Sequence, residues 1–175
     1  MLKTSFKFGS IAGVIMLIAG TIPFLIWGKD FDIDLGEVIG YSSIIIALAS
    51  VFFGIRSYRD KQAGGRITYM QGMGVGLTIS SIAGVVFAIY SYVYYRFISP
   101  DFMQKYMQHY ADKIKSSGAS QEVIAKQLAE MQSNMGLYNN IWFQSLIPFV
   151  TVFAIGLVIT LISAAILKRK ELLTK

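Results

Sequence analysis

The sequence predicts an all-α polytopic membrane protein with four transmembrane helices and an extracytoplasmic helical hairpin between helices 3 and 4. Three observations carry that prediction. Of the 175 residues, 54% are hydrophobic and the mean hydropathy is +0.55, which suits a hydrocarbon solvent rather than water. Only 15% are charged, and they fall in a few blocks. Between the blocks run four apolar stretches, each long enough to cross a layer of roughly 30 Å as a helix.

These stretches are residues 8–27, 38–55, 70–95 and 141–167, within a single membrane domain covering 1–175, and none contains Asp, Glu, Lys, Arg or His. The first follows Lys3 and Lys7 and includes the small residues Ala19, Gly20 and Thr21. Its length nevertheless fits a span better than a cleaved signal, whose apolar core is about 7 to 15 residues.

Orientation follows from the positive charges, which are retained on the cytoplasmic side. The N-tail (Lys3, Lys7), the second connection (Arg56, Arg59, Lys61, Arg66) and the C-tail (Lys168, Arg169, Lys170, Lys175) together hold ten Lys and Arg. The first and third connections hold six. Both termini are therefore expected in the cytoplasm. Trp27, Tyr41, Tyr92, Tyr94, Tyr95 and Trp142 then fall near the outer interface, where amphipathic rings collect.

The third connection, about 98–140, reads as two helices. Ser99, Pro100 and Asp101 supply a start signal with Ser99 as the cap, and Lys115 to Gly118 supply a stop. Phe102, Met103, Tyr106, Met107, Tyr110 and Ile114 cover a broad arc, suited to the headgroup layer or to a second helix. That second helix starts at Ser120 and aligns Ile124, Leu128, Met131 and Met135 on one stripe, with Glu122, Lys126 and Glu130 on another face. Ile124, Leu128 and Met131 are the candidate lipid or partner contacts of the hairpin.

Small residues recur at helical spacing within the spans. Gly72, Gly76, Ser80, Gly84 and Ala88 form one series, Gly36, Gly40, Ser43, Ala47, Ser50 and Gly54 another, and Gly9 and Gly13 a pair. Such faces let helix backbones approach closely in lipid. Packing within the chain is the simpler expectation, and association with another subunit the alternative.

Chemistry has few places to reside. With no cysteine and one histidine, thiol catalysis, Cys-ligated metals and His-based metal sites lack their parts. The cluster Arg56, Arg59, Lys61 and Arg66 is a candidate contact for anionic lipid or a partner, although topology control alone accounts for it. Gly64 and Gly65 are not followed by the Lys-Ser or Lys-Thr of a nucleotide loop, and Gly72, Gly74 and Gly76 lack the dinucleotide spacing. Asp30, Asp32, Asp34 and Glu37 lack the glycine and glutamate register of a calcium loop and read as a solvated turn. His109 and Asp112, one turn apart, have no catalytic group beside them. No cofactor, metal, catalytic residue or nucleic-acid partner is expected, and the chain does not read as an enzyme. Pumps and ion-coupled carriers place ionisable groups at membrane depth, whereas a small pore lined by Ser, Thr, Gln144 and Tyr, with kinks at Pro23 and Pro148, stays open as an alternative.

Tyr58-Arg59-Asp60-Lys61, then Gly64-Gly65-Arg66-Ile67-Thr68-Tyr69 and the glycine-rich third span, resemble a bacterial membrane family known as domain-of-unknown-function family 4199. Tyr94-Tyr95-Arg96-Phe97-Ile98-Ser99-Pro100-Asp101-Phe102 is similar to it as well. The resemblance covers most of the chain. It implies a bacterial inner-membrane protein with the same four spans and long third connection, and brings no activity, substrate or site residues. The expectation is an interaction or assembly subunit meeting membrane lipids, a copy of itself or another membrane protein. The alternative is a small transporter or channel subunit acting as an oligomer.

Overall fold

The computed structural model describes residues 1–28 and 32–169. Four long helices dominate: α1 (Leu2–Trp27), α2 (Ile33–Lys61), α3 (Tyr69–Val93) and α7 (Ile141–Leu167). Each contains an apolar stretch long enough to cross a membrane, so the chain is an all-helical membrane protein. Between α3 and α7 lie a π-helical turn (Tyr94–Ile98), α4 (Phe102–Lys115), α5 (Gln121–Ser133) and the single turn α6 (Met135–Tyr138). No strand occurs among the described residues.

Helices α1 and α2 outrun the apolar windows at 8–27 and 38–55, because polar flanking residues continue the backbone hydrogen bonding. Asp32 starts α2 by accepting the Leu35 N–H at 2.8 Å, as an N-cap carboxylate does. Thr68 and Gln71 start α3 reciprocally: the Gln71 N–H donates to Thr68 Oγ1 at 3.2 Å and the Thr68 N–H to Gln71 Oε1 at 2.9 Å, a capping box. Asn140 Oδ1 accepts the Trp142 N–H at 2.9 Å before α7. At the other end of α2, the Gly65 N–H reaches back to the Arg59 carbonyl at 2.8 Å. This closure uses left-handed backbone at Gly64 (φ 61°) and Gly65 (φ 81°), which glycine adopts without the Cβ clash.

The chain divides into two compact units, Met1–Ala88 with Pro148–Lys175, and Ile89–Ile147. In the first, Ala12 and Met16 of α1, Ala47, Leu48, Val51 and Ile55 of α2, Val75, Ile79 and Ala83 of α3, and Val152 and Leu167 of α7 form the core. Ile18, Leu25, Ile45, Ile46, Val85, Val158 and Ile162 are exposed. So much outward apolar surface fits lipid, not water.

In the second unit α4 and α5 touch, with Met107, Ala111 and Ile124 buried. Two expectations need correction here. Helix α4 starts at Phe102 with Asp101 as cap, while Ser99 is the C-cap of the preceding element, its N–H donating to the Tyr94 carbonyl at 2.8 Å to close the π-helical turn. Ser99 Oγ donates to Asp101 Oδ1 at 3.1 Å, and the Ser99 carbonyl accepts the Phe102 N–H at 3.1 Å, so Ser99 ends the π-helical turn and Pro100 lies in the tight turn that leads into α4. Helix α5 ends at Ser133 rather than carrying its stripe to Met135, since Asn134 folds back with its Nδ2 donating to the Glu130 carbonyl at 3.0 Å. The start at Ser120 holds, its hydroxyl accepting the Val123 N–H at 3.4 Å.

Candidate functional site

Three features bear on function: a seam of small residues, a clasp of basic segments and the hairpin. The seam joins α3 to α7. A Cβ on Gly72 would lie 3.0 Å from the Ala164 Cβ, and one on Gly76 would lie 2.6 Å from Thr160 Oγ1. One on Gly156 would strike Ser80, and one on Gly84 would lie 2.9 Å from Phe149 Cδ2. From Gly72 to Ser80, each step of four along α3 matches a step of four back along α7, the register of antiparallel helices in close contact. The glycine of each contact is on α3 at Gly72, Gly76 and Gly84 and on α7 at Gly156.

Elsewhere, Gly9 and Gly13 of α1 receive Ile82 and Val86 of α3, and Gly54 of α2 receives Ile79 and Phe8. Gly40 differs, with nothing within 4 Å of where its Cβ would be. Gly36 is half-buried on the same helix. The second series is therefore buried at Ala47, Ser50 and Gly54 and open at Gly40. Ser50 Oγ and Thr160 Oγ1 are buried without a hydrogen-bond partner, which in an apolar medium is a cost.

The clasp gathers the start of α1, the α2–α3 connection and the end of α7. Gln62 joins the first two, its Oε1 accepting from the Met1 amine at 2.9 Å and its Nε2 donating to Thr4 Oγ1 at 2.6 Å. The Ile67 carbonyl accepts the Arg169 N–H at 3.0 Å. Arg59 is buried at 9% exposure; its Nε pairs with Asp60 Oδ1 at 2.7 Å and its Nη1 donates to the Leu167 carbonyl at 3.5 Å. A cation there meets the negative end of the α7 dipole and a carbonyl the helix leaves unpaired. Arg56 approaches Asp60 at 3.7 Å, while Arg56, Lys61 and Arg66 are exposed. The four basic candidates thus divide: Arg59 is a structural fastener and the others face outward.

In the hairpin, Ile124 is buried and Leu128 and Met131 are half-buried, while Glu122, Lys126 and Glu130 are exposed. On α4 an aromatic file runs back to the π-helical turn. Tyr95 stacks on Phe102 at 5.4 Å, Phe102 on Tyr106 at 5.9 Å, Tyr106 meets Tyr110 at 4.8 Å, and Lys113 Nζ sits 5.5 Å over the Tyr110 ring. This file was half-legible: the aromatic arc was apparent, but its stacking onto the preceding turn depends on a π-helical closure that spacing does not reveal. His109 lies edge-on to Tyr110 at 5.7 Å.

Asp112 accepts from Gln108 Nε2 at 3.0 Å and from Lys115 Nζ at 3.4 Å, which holds its carboxyl below the usual range. Lys105, 3.0 Å from Asp101, does the same there. No group of three potential metal ligands occurs among the described residues. Asp32 is used as a cap, and Asp30 lies outside the described residues.

A family model described as "Protein of unknown function (DUF4199)" matches residues 7–169. The chain belongs to this family. The match takes in the seam, the hairpin and the clasp residues of α2, the α2–α3 connection and the end of α7, while Met1 and Thr4 of the clasp precede it. No curated protein and no solved structure matches the chain.

Proposed function

We propose that this DUF4199 protein is an interaction or assembly subunit of the bacterial inner membrane, with both termini cytoplasmic and the hairpin extracytoplasmic. In this reading it is not an enzyme, and its partners are membrane lipids and another membrane protein or a second copy. One observation supports it most. Helices α4 and α5 touch, Met107, Ala111 and Ile124 are buried, and α5 carries an exposed charged face, an arrangement suited to a recognition module outside the spans. The gathering of the basic segments at one end of the first unit supports the orientation.

The test is native mass spectrometry of the protein taken from its own membrane into nanodiscs, with crosslinking from the hairpin. A defined heteromer or dimer whose hairpin crosslinks weaken in Leu128→Asp supports the reading. Unchanged crosslinking and stability in that variant would remove the stripe as a contact surface.

A second reading, a small transporter or channel subunit, draws on Gly40. Its open position on α2 leaves a small-residue face for a neighbouring copy in an oligomer. That reading expects solute flux in proteoliposomes, and flux equal to empty vesicles would sink it.

A further inference from the structure

The clasp has an outward side of charged side chains. Lys3 and Lys7 on α1, Arg56 and Lys61 on α2, and Lys168 and Arg169 after α7 are all exposed. Hydrogen bonds among Met1, Thr4 and Gln62, between Arg59 and Leu167, and between Ile67 and Arg169 hold their three segments together. Among the described residues of these segments Asp60 is the only carboxylate, and it is already held by Arg59 and Arg56. The positive charge is therefore concentrated and barely offset.

The same segments expose large apolar side chains: Leu2 at 71%, Phe6 at 66%, Met70 at 74% and Ile166 at 66%. Cations beside outward apolar groups on membrane-spanning helices form the pattern that meets headgroups with one part and acyl chains with the other. A soluble phosphate ligand would have no use for the apolar groups.

We propose that the clasped end of the helices is a docking surface for anionic phospholipid, with lysine and arginine drawn from three separate segments meeting the headgroup phosphates of one leaflet. The clasp makes the surface by fixing the three segments side by side.

The test is native mass spectrometry of the full-length protein in detergent, titrated with phosphatidylglycerol and phosphatidylcholine of identical acyl chains. Phosphatidylglycerol should be retained about tenfold over phosphatidylcholine at low salt, and the ratio should fall towards one at about 1 M salt, where screening acts within roughly 3 Å. Lys61→Gln with Arg169→Gln should reduce the preference severalfold, while Lys105→Gln with Lys126→Gln in the hairpin should leave it unchanged. Because charge loss can disturb insertion, the salt titration of the unaltered protein provides the same test without a variant. Equal retention of the two lipids, a salt-independent preference, or equal loss in both double variants would overturn the proposal. So would full competition by soluble glycerol phosphate, which would make the ligand a free phosphate, or a salt-released acidic protein without any lipid preference.

Discussion

Gly76 and Gly40 are chemically identical and sit in opposite circumstances. A Cβ at Gly76 meets Thr160, whose branched side chain has little room to turn, whereas Gly40 faces open space. Gly76→Ala should cost about 1–3 kcal/mol through overpacking, and Gly40→Ala should stay within about 0.5 kcal/mol. Thermal unfolding of the two variants in detergent checks the contrast, and equal shifts would refute the seam. Thr160 supports a prediction of opposite sign. Its hydroxyl is fully buried and unpartnered, so Thr160→Val should raise stability by about 1 kcal/mol. A loss of stability on that change would show that the hydroxyl is not a net cost. The glycine spacing was legible in the sequence, but the partner of each glycine was not. Periodicity identifies a face, while register belongs to the pair of helices.

Among the elements, α4 has a charge dependence whose direction follows from its carboxylates. Gln108 and Lys115 lower the Asp112 carboxyl, and Lys105 lowers Asp101. A depressed folded-state value means that the stabilisation is complete above the unfolded value of about 3.9 and is lost as pH falls through the folded value. Amide exchange in α4, corrected for its intrinsic pH dependence, should therefore be flat from about pH 7 to 5 and rise below about 4. Asp112→Asn should remove part of that rise; an identical profile in the variant would assign the acid response elsewhere. Both carboxylates are exposed, so the effect is small. The two hairpin helices were readable from Ser120 and from the stop at Lys115 to Gly118. The start of α4 was not, because Ser99-Pro100-Asp101 satisfies the rules for a cap while Ser99 closes the π-helical turn behind it and turns its hydroxyl to Asp101.

For the whole molecule, length and hydropathy were enough to locate four spans, since a span is set by the thickness of its solvent. The clasp was only partly visible. Charge counting grouped the N-tail, the second connection and the C-tail, but did not reveal that Arg59 turns inward to Leu167 while its neighbours face out. The orientation reading predicts that a reporter active only in the periplasm, fused after Lys175, stays inactive, and that the same reporter inserted after Gly118 is active. Reversed signals would invert the molecule and leave the helix packing untouched.

The seam between α3 and α7 also limits how the sequence can drift. Gly76 leaves the room that Thr160 fills, and Gly156 the room that Ser80 fills. A bulkier residue at one member is tolerated only when its opposite number shrinks. Substitutions at such positions, some eighty residues apart in the chain, should therefore be non-additive, the cost of a larger residue at one being relieved by a smaller one at its mate.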